Sequence, residues 1–221
     1  MWTRLKFRRV VVVNGRGTNV IAALFVMKDG PYFGVDGLDP YDFDRNAFTY
    51  RGPHPVIAHP PCERWGRYWG GGPMLQGTQY QKYLGDDGGC FAHSLWCVRT
   101  FGGVIEHPEA SHAFRFYGLP IPNFSGGWSV ADRYGGRSCC VAQGKYGHLA
   151  QKMTWLYGVN IDFRELNWGR APGLLKIEEG FYSKEERRRL IRTGVLQRLS
   201  KKQRAVTPEP FRDLLIELVV N

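Results

Sequence analysis

Short apolar runs alternate with glycine- and proline-rich segments along most of the chain. Such runs, when they are rich in β-branched and aromatic residues and are bounded by turn formers, are typical of β-strands. The pattern predicts strands at Arg9–Val13, Tyr32–Asp36, Val56–Ala58, Phe101–Pro108, Ser138–Gln143 and Met153–Val159. The last two strands are predicted to pair in antiparallel fashion.

Other segments follow helical periodicity. Between Cys90 and Thr100 the apolar residues fall at 91, 95 and 98, followed by 101, which predicts an amphipathic helix. A helix of this length can cross from Val56–Ala58 to the strand that begins at Phe101, which would make the two strands parallel neighbours. Further helices are predicted at Ser111–Tyr117, at Lys184–Leu199, and after Thr207 as cap with Pro208 in the first position. Strands joined by crossover helices indicate an α/β, Rossmann-like sheet.

The segment after the first predicted strand has two interpretations. Asn14–Gly17 can form a tight Asn-Gly turn, with Asn19–Met27 as the returning strand of a hairpin, and this version is preferred. Alternatively, Gly15 and Gly17 form a loop that opens a helix capped by Thr18. That version would direct backbone N–H groups at a nucleotide cofactor.

A thiol and a carboxylate follow two of the predicted strands. Val56–Ala58 runs into His59-Pro60-Pro61-Cys62, and the two prolines restrict the backbone that carries the thiol. The strand after the crossover helix carries Glu106, 44 residues later. Because parallel strands end at the same edge of a sheet, where open α/β sheets bind ligands, we expect Cys62 and Glu106 to face one substrate.

These two segments resemble motifs of the DNA cytosine methyltransferases that act on carbon 5. His59-Pro60-Pro61-Cys62 is similar to the family's Pro-Cys motif, and Glu106-His107-Pro108 stands where the family has Glu-Asn-Val. The likeness covers roughly residues 54–160 by motif order and is greatest to short members encoded by phages and prophages. It implies a reduced class I methyltransferase-type sheet with a small basic helical part at its C-terminal side.

The resemblance also implies roles for individual residues. Cys62 would be the nucleophile that attacks carbon 6 of the base, and Glu106 would hydrogen-bond the base. Lys145 stands near the family's Gln-x-Arg motif, where it would replace the arginine that contacts the base. Arg64 or His59 could lower the pKa of the thiol.

The loop after the thiol, residues 63–80, interleaves basic and aromatic side chains. Aromatic rings stack on bases while arginines bind phosphates, so a role in holding the substrate is predicted. The alternative is that the tryptophans of this surface loop pack back on the core. The predicted substrate-binding residues are Pro61, Arg64, Trp65, Arg67, His107 and Lys145.

The family uses S-adenosylmethionine, which implies a cofactor site on the same sheet. Gly15 and Gly17 would form its loop, and Asp36 and Asp39 stand where a Rossmann-like fold places an acid for the ribose hydroxyls. Asp36-Gly37 and Asp39-Pro40 are also strong turn formers, so turn chemistry is the alternative.

Charge points to a polyanionic partner. The chain of 221 residues has a formal net charge of +10, and residues 164–204 hold 12 basic against 5 acidic residues. This surplus predicts binding to nucleic acid, with DNA as the favoured partner, whereas a solvated helix face is the simpler alternative. The predicted division is a catalytic domain at 1–160 and a basic helical subdomain at 161–221 that packs on the same core.

The five cysteines and the sequence at the start of the chain bear on the compartment. An odd number of cysteines without a secretion signal predicts free thiols and a cytoplasmic location, that of a bacterial host if a phage encodes the protein. Cys90, His93 and Cys97 could share a helical face, but the sequence has no Cys-x-x-Cys pair for zinc, so no metal site is predicted.

Two functions from different classes remain open at this point. One is an enzyme that modifies a pyrimidine, with cytosine in DNA as the favoured substrate and S-adenosylmethionine or another one-carbon donor. The other is a methyltransferase-like protein that binds nucleic acid without catalysis.

Overall fold

The computed structural model describes residues 20–71, 75–171, 185, 188, 199 and 201–220. Their centre is a six-stranded mixed sheet. The strands are β1 (Ile21–Leu24), β2 (Leu38–Tyr41), β3 (Val56–Ala58), β4 (Gly103–Pro108), β5 (Arg137–Ala142) and β6 (Met153–Val159). The helices are α1 (Cys90–Phe101), α2 (His112–Phe116), α3 (Lys201–Ala205) and α4 (Glu209–Val220), with 3-10 turns at Ala47–Thr49 and Gln143–Tyr146. This confirms the α/β class.

The strand order is β2-β1-β3-β4-β6-β5. The first four strands in this order run parallel, and β6 is antiparallel to both of its neighbours, β4 and β5. The carboxyl ends of β1, β2, β3, β4 and β5 therefore meet at one edge of the sheet. The chain reverses its direction of progress across the sheet between β1 and β3, and open α/β sheets bind ligands at such a switch point.

The predictions for the first part of the chain are correct only in part. Arg9–Val13 and Asn14–Gly17 lie outside the described residues. A strand is observed at Ile21–Leu24, within the predicted Asn19–Met27, but both of its edges are paired with parallel strands, so it is not the returning strand of a hairpin. The alternative helix after Thr18 is wrong, because this apolar segment is a fully buried strand with parallel neighbours on both sides, β2 and β3.

The strand predicted at Tyr32–Asp36 is also misplaced. Gly34 and Gly37 have φ values of 69° and 79°, so this segment forms turns and β2 begins only at Leu38. Pro40 lies within β2, which a proline tolerates because β2 is an edge strand.

The crossover from β3 to β4 is as predicted. Helix α1 packs against both strands and ends at Gly102, whose N–H donates to the carbonyl of Val98. The two parallel strands are direct neighbours, with Val56 opposite Gly103 and Ala58 opposite Ile105. No side chain fits at Gly103: its φ is 120°, and a Cβ there would lie 1.9 Å from the carbonyl oxygen of Val56.

The second half of the sheet and the short helix are confirmed. Strands β5 and β6 pair in antiparallel fashion, with Ala142 opposite Met153. The side chain of Ser111 caps α2 by accepting from the N–H of Ala113, so the serine defines where this five-residue helix begins.

Alternate residues of the central strands feed two hydrophobic clusters, one on each face of the sheet. On one face, Ala58 and Ile105 pack with Phe91 and Val98 of α1. The opposite face is covered by α4, whose apolar stripe joins strand residues in a second cluster containing Ile57, Val104, Leu156, Phe211, Leu214, Leu215 and Leu218. The final helix begins at Glu209 and packs on the same core as the sheet.

Most of the predicted basic segment cannot be compared with the structure. Of the helix predicted at Lys184–Leu199, only residues 185, 188 and 199 are described. Within the described part of the chain, no helix has the length and apolar character needed to cross a membrane.

Candidate functional site

A histidine and the predicted acid meet at the carboxyl edge of the sheet. Because Ala58 and Ile105 are paired, the residues that follow them, His59 and Glu106, lie side by side. His59 Nδ1 is 3.0 Å from Glu106 Oε2, and both side chains are mostly buried. Strand register therefore places the carboxylate beside the loop that carries the thiol.

The pair belongs to a hydrogen-bonded network that extends along this edge. The Tyr32 hydroxyl is 2.7 Å from His59 Nε2. On the other side, Gln143 Nε2 donates to Glu106 Oε1 at 2.9 Å and to Thr154 Oγ1 at 2.9 Å. The network thus joins the segments that follow β1, β3 and β5 to strands β4 and β6.

Glu106 is ionised in this network. Burial alone would raise its pKa, but the hydrogen bond from His59 and the electrostatic influence of Lys152, His59 and His107 outweigh burial and lower the pKa to about 2. The carboxylate therefore accepts hydrogen bonds from both His59 and Gln143. A proton on His59 Nδ1 leaves Nε2 to accept from the Tyr32 hydroxyl.

The low pKa of Glu106 predicts a loss of stability in acid. The unfolded chain takes up a proton at this carboxyl near its ordinary pKa of 4.5, whereas in the folded protein its pKa is about 2. The stabilisation that this group contributes is present above that window and is lost as the pH falls through it, at a cost of about 3 kcal/mol. Urea unfolding below pH ~4.5 should show a shallower decline for Glu106→Gln than for the unchanged protein. Parallel declines would show that folding does not lower the pKa of Glu106.

Cys62 lies on a tight turn directly after the two prolines. Its carbonyl accepts from the N–H groups of Trp65 and Gly66 at 3.0 and 2.8 Å, and the residue is half-buried. Burial and the negative charge of Glu106 raise the pKa of the thiol, while Lys152 lowers it. The thiol is therefore protonated in the resting protein.

The expectation that Arg64 or His59 lowers the pKa of this thiol is wrong. His59 is bound to Glu106 and Tyr32, and Arg64 Nη1 points to the carbonyl of Trp69 at 3.4 Å. The cation that favours the thiolate is Lys152.

His107 packs against the loop that carries the Cys62 thiol. It is fully buried, its Nδ1 lies 2.6 Å from Ser111 Oγ, and burial lowers its pKa to about 4. The carbonyls of Pro60 and Pro61 lie close enough to oppose that lowering. The prediction that His107 contacts a substrate is therefore corrected: its ring has no exposed surface and packs under the loop.

The loop after Cys62 divides into a buried anchor and exposed groups. Trp65 is 1% exposed, and its Nε1 donates to Asp87 at 2.7 Å, so the interpretation that it packs on the core is correct and stacking on a base is not. Pro61 and Arg67 are exposed, Arg64 is half-buried, and Tyr68 is 56% exposed. These four residues remain candidates for substrate contacts.

The prediction for Lys145 fails because its ammonium group has another role. It donates to the carbonyl of Trp168 and to Asn167 Oδ1, and so ties the 3-10 turn after β5 to the 167–168 segment. Gln143, two residues earlier, reaches the carboxylate instead.

The predicted ribose acids are not placed for that role. Asp36 is exposed in a turn, and Asp39 lies within β2, paired with Arg45. The acid at the carboxyl end of β2 is Asp42, which is 8% exposed. Its Oδ1 accepts from the N–H groups of Asp44 and Arg45, and no hydrogen bond among the described residues goes to its Oδ2.

Gly15 and Gly17 lie outside the described residues, and they precede β1 in the chain. The loop at the carboxyl end of β1 is residues 25–37, which form turns. Phe25 and Asp29 in this loop have φ values of 57° and 53°, conformations that side chains rarely adopt. A cofactor at this edge would therefore contact residues 25–37.

Sequence reasoning missed Tyr32, Gln143, Lys152 and Asp42. Asp42 carried no clear local signal, because the strand before it, Leu38–Tyr41, is short and contains Asp39. Lys152 and Gln143 lie in the turn that joins β5 and β6, and the likeness to the Gln-x-Arg motif pointed to this turn but selected Lys145. The sequence around Tyr32 carried no such signal, because its contact with His59 depends on how strands β1 and β3 are arranged in the sheet.

No protein-family model matches the sequence, and a search of curated proteins finds no match. Among the described residues, no group of three or more histidines, cysteines or acids could hold a metal ion. Function is therefore argued from the site.

Proposed function

We propose that the protein is a pyrimidine-modifying enzyme that methylates carbon 5 of cytosine in DNA through a covalent Cys62 adduct, with S-adenosylmethionine as donor. The observation that carries the proposal is the placement of a half-buried thiol and an ionised carboxylate at the ends of neighbouring parallel strands. They interact electrostatically, since the charge of Glu106 raises the pKa of Cys62.

The topology supports this assignment. The site lies beside the switch point between β1 and β3, where α/β sheets bind ligands. The order of elements is similar to that of the methyltransferase family: a Pro-Cys motif after one strand, a glutamate on the next, and then an antiparallel strand pair.

The residues of the chain account for the nucleophilic step. The Cys62 thiol first loses its proton to solvent water, Lys152 favours the thiolate that results, and the thiolate then forms a bond to carbon 6 of the ring. The electron pair of the C5–C6 double bond makes carbon 5 nucleophilic. S-adenosylmethionine, when bound, supplies the electrophilic methyl group that carbon 5 takes up. Loss of the proton from carbon 5 to solvent water then re-forms the C5–C6 double bond, and the C6–S bond breaks with its electron pair leaving on the Cys62 thiolate.

The edge formed by β1 and β2 offers an acceptor for the donor's ribose. Asp42 is at the carboxyl end of β2, and its Oδ2 takes no hydrogen bond among the described residues, so it can accept from a ribose hydroxyl. Residues 25–31 would form the other side of the site. Asp42 therefore takes the role that the sequence assigned to Asp36 and Asp39.

A methyl-transfer assay tests the proposal. Incubation with duplex DNA and S-adenosylmethionine labelled in its methyl group should place the label in 5-methylcytosine, identified by mass spectrometry of the released nucleosides. Asp42→Asn should weaken binding of the donor about tenfold in calorimetry, the effect of one charge-assisted hydrogen bond. Asp36→Asn, in the exposed turn, is the matched control and should bind the donor normally.

Two outcomes would contradict these statements. If Asp36→Asn weakened binding of the donor and Asp42→Asn did not, the acid that binds the ribose would be Asp36 and not Asp42. DNA that binds but never acquires the label would show a binding protein without catalysis, the second function class that the sequence left open.

A further inference from the structure

A row of aromatic rings lies on the surface beside α1. Phe48 and Trp96 are 36% and 43% exposed, and the His93 ring lies between them, with its centroid 5.2 Å from that of Phe48 and 5.7 Å from that of Trp96. Phe25 begins the row, with its centroid 5.6 Å from that of Phe48. Single exposed rings are common on protein surfaces, whereas joined rings form a surface suited to a flat apolar partner. We call these four residues the aromatic row.

Arg51 places a positive charge at the Trp96 end of the aromatic row. Its guanidinium group lies over the Trp96 ring, 5.8 Å from the ring centroid. Nη1 donates to the carbonyls of Phe48 and Tyr50 at 2.5 and 2.8 Å, and these hydrogen bonds fix the group. None of the ion pairs among the described residues includes Arg51. Its charge is therefore available to an anion, to which the other N–H groups of the guanidinium can donate.

The surroundings of the aromatic row favour an anionic partner. Residues 45–62 and helix α1, which supply Arg51 and three of the four rings, contain no aspartate or glutamate. Asp44, just before the first of these segments, is paired with Lys28. Asp87, just before α1, accepts two N–H groups at the start of the helix. These two acids are thus occupied, and the chain has a net charge of +10, so the row is complementary to a polyanion.

We propose that the aromatic row and Arg51 bind a single-stranded segment of DNA, with bases stacked on Phe48 and Trp96 and a phosphate at Arg51. Aromatic side chains and arginines bind single strands in this way, and the stacking tolerates any base because every base has a flat face. A duplex encloses these faces between its own base pairs. The row therefore distinguishes single-stranded from duplex DNA.

The aromatic row leads to the candidate site. Phe25 directly follows β1, and the carbonyl of Leu24, the residue before it, accepts from the N–H of His59 at 3.0 Å. A strand on the row can therefore continue to the carboxyl edge of the sheet, where the loop with Cys62 lies. The choice of DNA over RNA rests on the proposed function. The binding surface itself goes beyond that function, because none of its residues takes part in methyl transfer.

The test measures the affinity of the full chain for a fluorescently labelled oligothymidylate of about 12 nucleotides. This probe contains no cytosine, so its binding does not depend on methylation. Trp96→Ala should weaken binding about tenfold, the effect of one lost base stack, whereas Trp96→Phe should retain most of the affinity. A duplex of the same length should bind equally to all three proteins.

Two further substitutions examine charge. Arg51→Gln should lower the slope of log affinity against log salt concentration by about 0.7, the value for one phosphate of a single strand, and Arg51→Lys should keep the slope. Ala92 is exposed on α1, one turn before Trp96. Ala92→Glu removes no packing contact and places an acid where the helix dipole favours one, so any loss of affinity for the oligothymidylate is not a loss of folding. We expect this variant to bind the oligothymidylate more weakly.

Tyr134→Ala is the matched control. Tyr134 is exposed to almost the same extent as Trp96, and Arg99 lies over its ring at 3.8 Å, but Arg99 is paired with Asp132. The acid would repel a phosphate at this second arginine. Tyr134→Ala should therefore leave the affinity for the oligothymidylate unchanged.

The outcomes separate this inference from the proposed function. Unchanged affinities and salt slopes in Trp96→Ala, Arg51→Gln and Ala92→Glu would overturn the inference. An equal loss of affinity for the duplex in Trp96→Ala would overturn it as well, because base faces would then not be bound. A loss of affinity for oligouridylate but not for oligothymidylate would show that the ligand is RNA. Binding as expected without any methyl transfer would overturn the proposed function alone.

Discussion

Replacing Cys62 by serine should abolish the covalent complex between the protein and DNA that contains 5-fluorocytosine. Fluorine at carbon 5 cannot leave as a proton does, so an adduct that has accepted a methyl group persists and survives denaturation. A serine hydroxyl at the same position has no comparable nucleophilicity without an adjacent base. The complex is measured as a shifted band in a denaturing gel.

The chain provides matched controls for this result. Cys90 is also half-buried, but it lies at the start of α1. Cys90→Ser should therefore form the complex normally. Glu106→Gln should slow its formation by roughly 100-fold or more, the effect of losing one strong interaction in the transition state. A complex that persists in the Cys62 variant would exclude this thiol as the nucleophile.

Gly103→Ala should prevent the protein from folding normally, or destabilise it by about 4 kcal/mol or more, which places it among the severe single substitutions. A Cβ at this position would lie 1.9 Å from the carbonyl oxygen of Val56 and 2.6 Å from its N atom, and φ is 120°. The clash is with backbone atoms of the neighbouring strand, so it cannot be relieved by a side-chain rotation. Relief requires β3 and β4 to separate, and their register places His59 beside Glu106.

Gly118→Ala is the control for the backbone contribution alone. Gly118 also has a positive φ, 64°, but a Cβ there would meet nothing within 4 Å. Gly118→Ala should lower the free energy of unfolding by about 1 to 2 kcal/mol, the strain of a residue with a side chain in the left-handed region. The free energy of unfolding in urea distinguishes the two variants. Equal losses would show that the approach of Val56 to Gly103 is not important for stability.

The strands and helices with clear periodicity were predictable from the sequence. Met153–Val159 is observed with the predicted bounds, and α1 and β4 are within two residues of theirs. The failures occur where glycines break a short apolar run. Tyr32–Asp36 resembles a strand in composition, but the positive φ at Gly34 and Gly37 delays β2 to Leu38.

The candidate site was predictable only in its local parts. The placement of Cys62 and Glu106 at one edge of the sheet was predictable, because the crossover helix makes the two strands before them parallel neighbours. The hydrogen-bonded network around Glu106 was not predictable, because Tyr32 and Gln143 belong to segments that lie 74 and 37 residues from Glu106 in the chain. Trp65 and His107 are residue types that often bind bases. Their burial, which the sequence does not reveal, shows that they instead support the loop that carries Cys62.

Helix α4 has a consequence for how the protein matures on the ribosome. Arg212 Nη1 donates to the carbonyl of Pro31 at 2.6 Å, which ties α4 to the loop that carries Tyr32. Phe211 and Leu215 cover Ile57, on the strand that leads to Cys62. Because α4 is synthesised after all six strands, a nascent chain holds the thiol and the acid before it can bury this face of the sheet. The segments that carry Tyr32 and Cys62 are therefore supported from this face only after α4 has been synthesised and has docked.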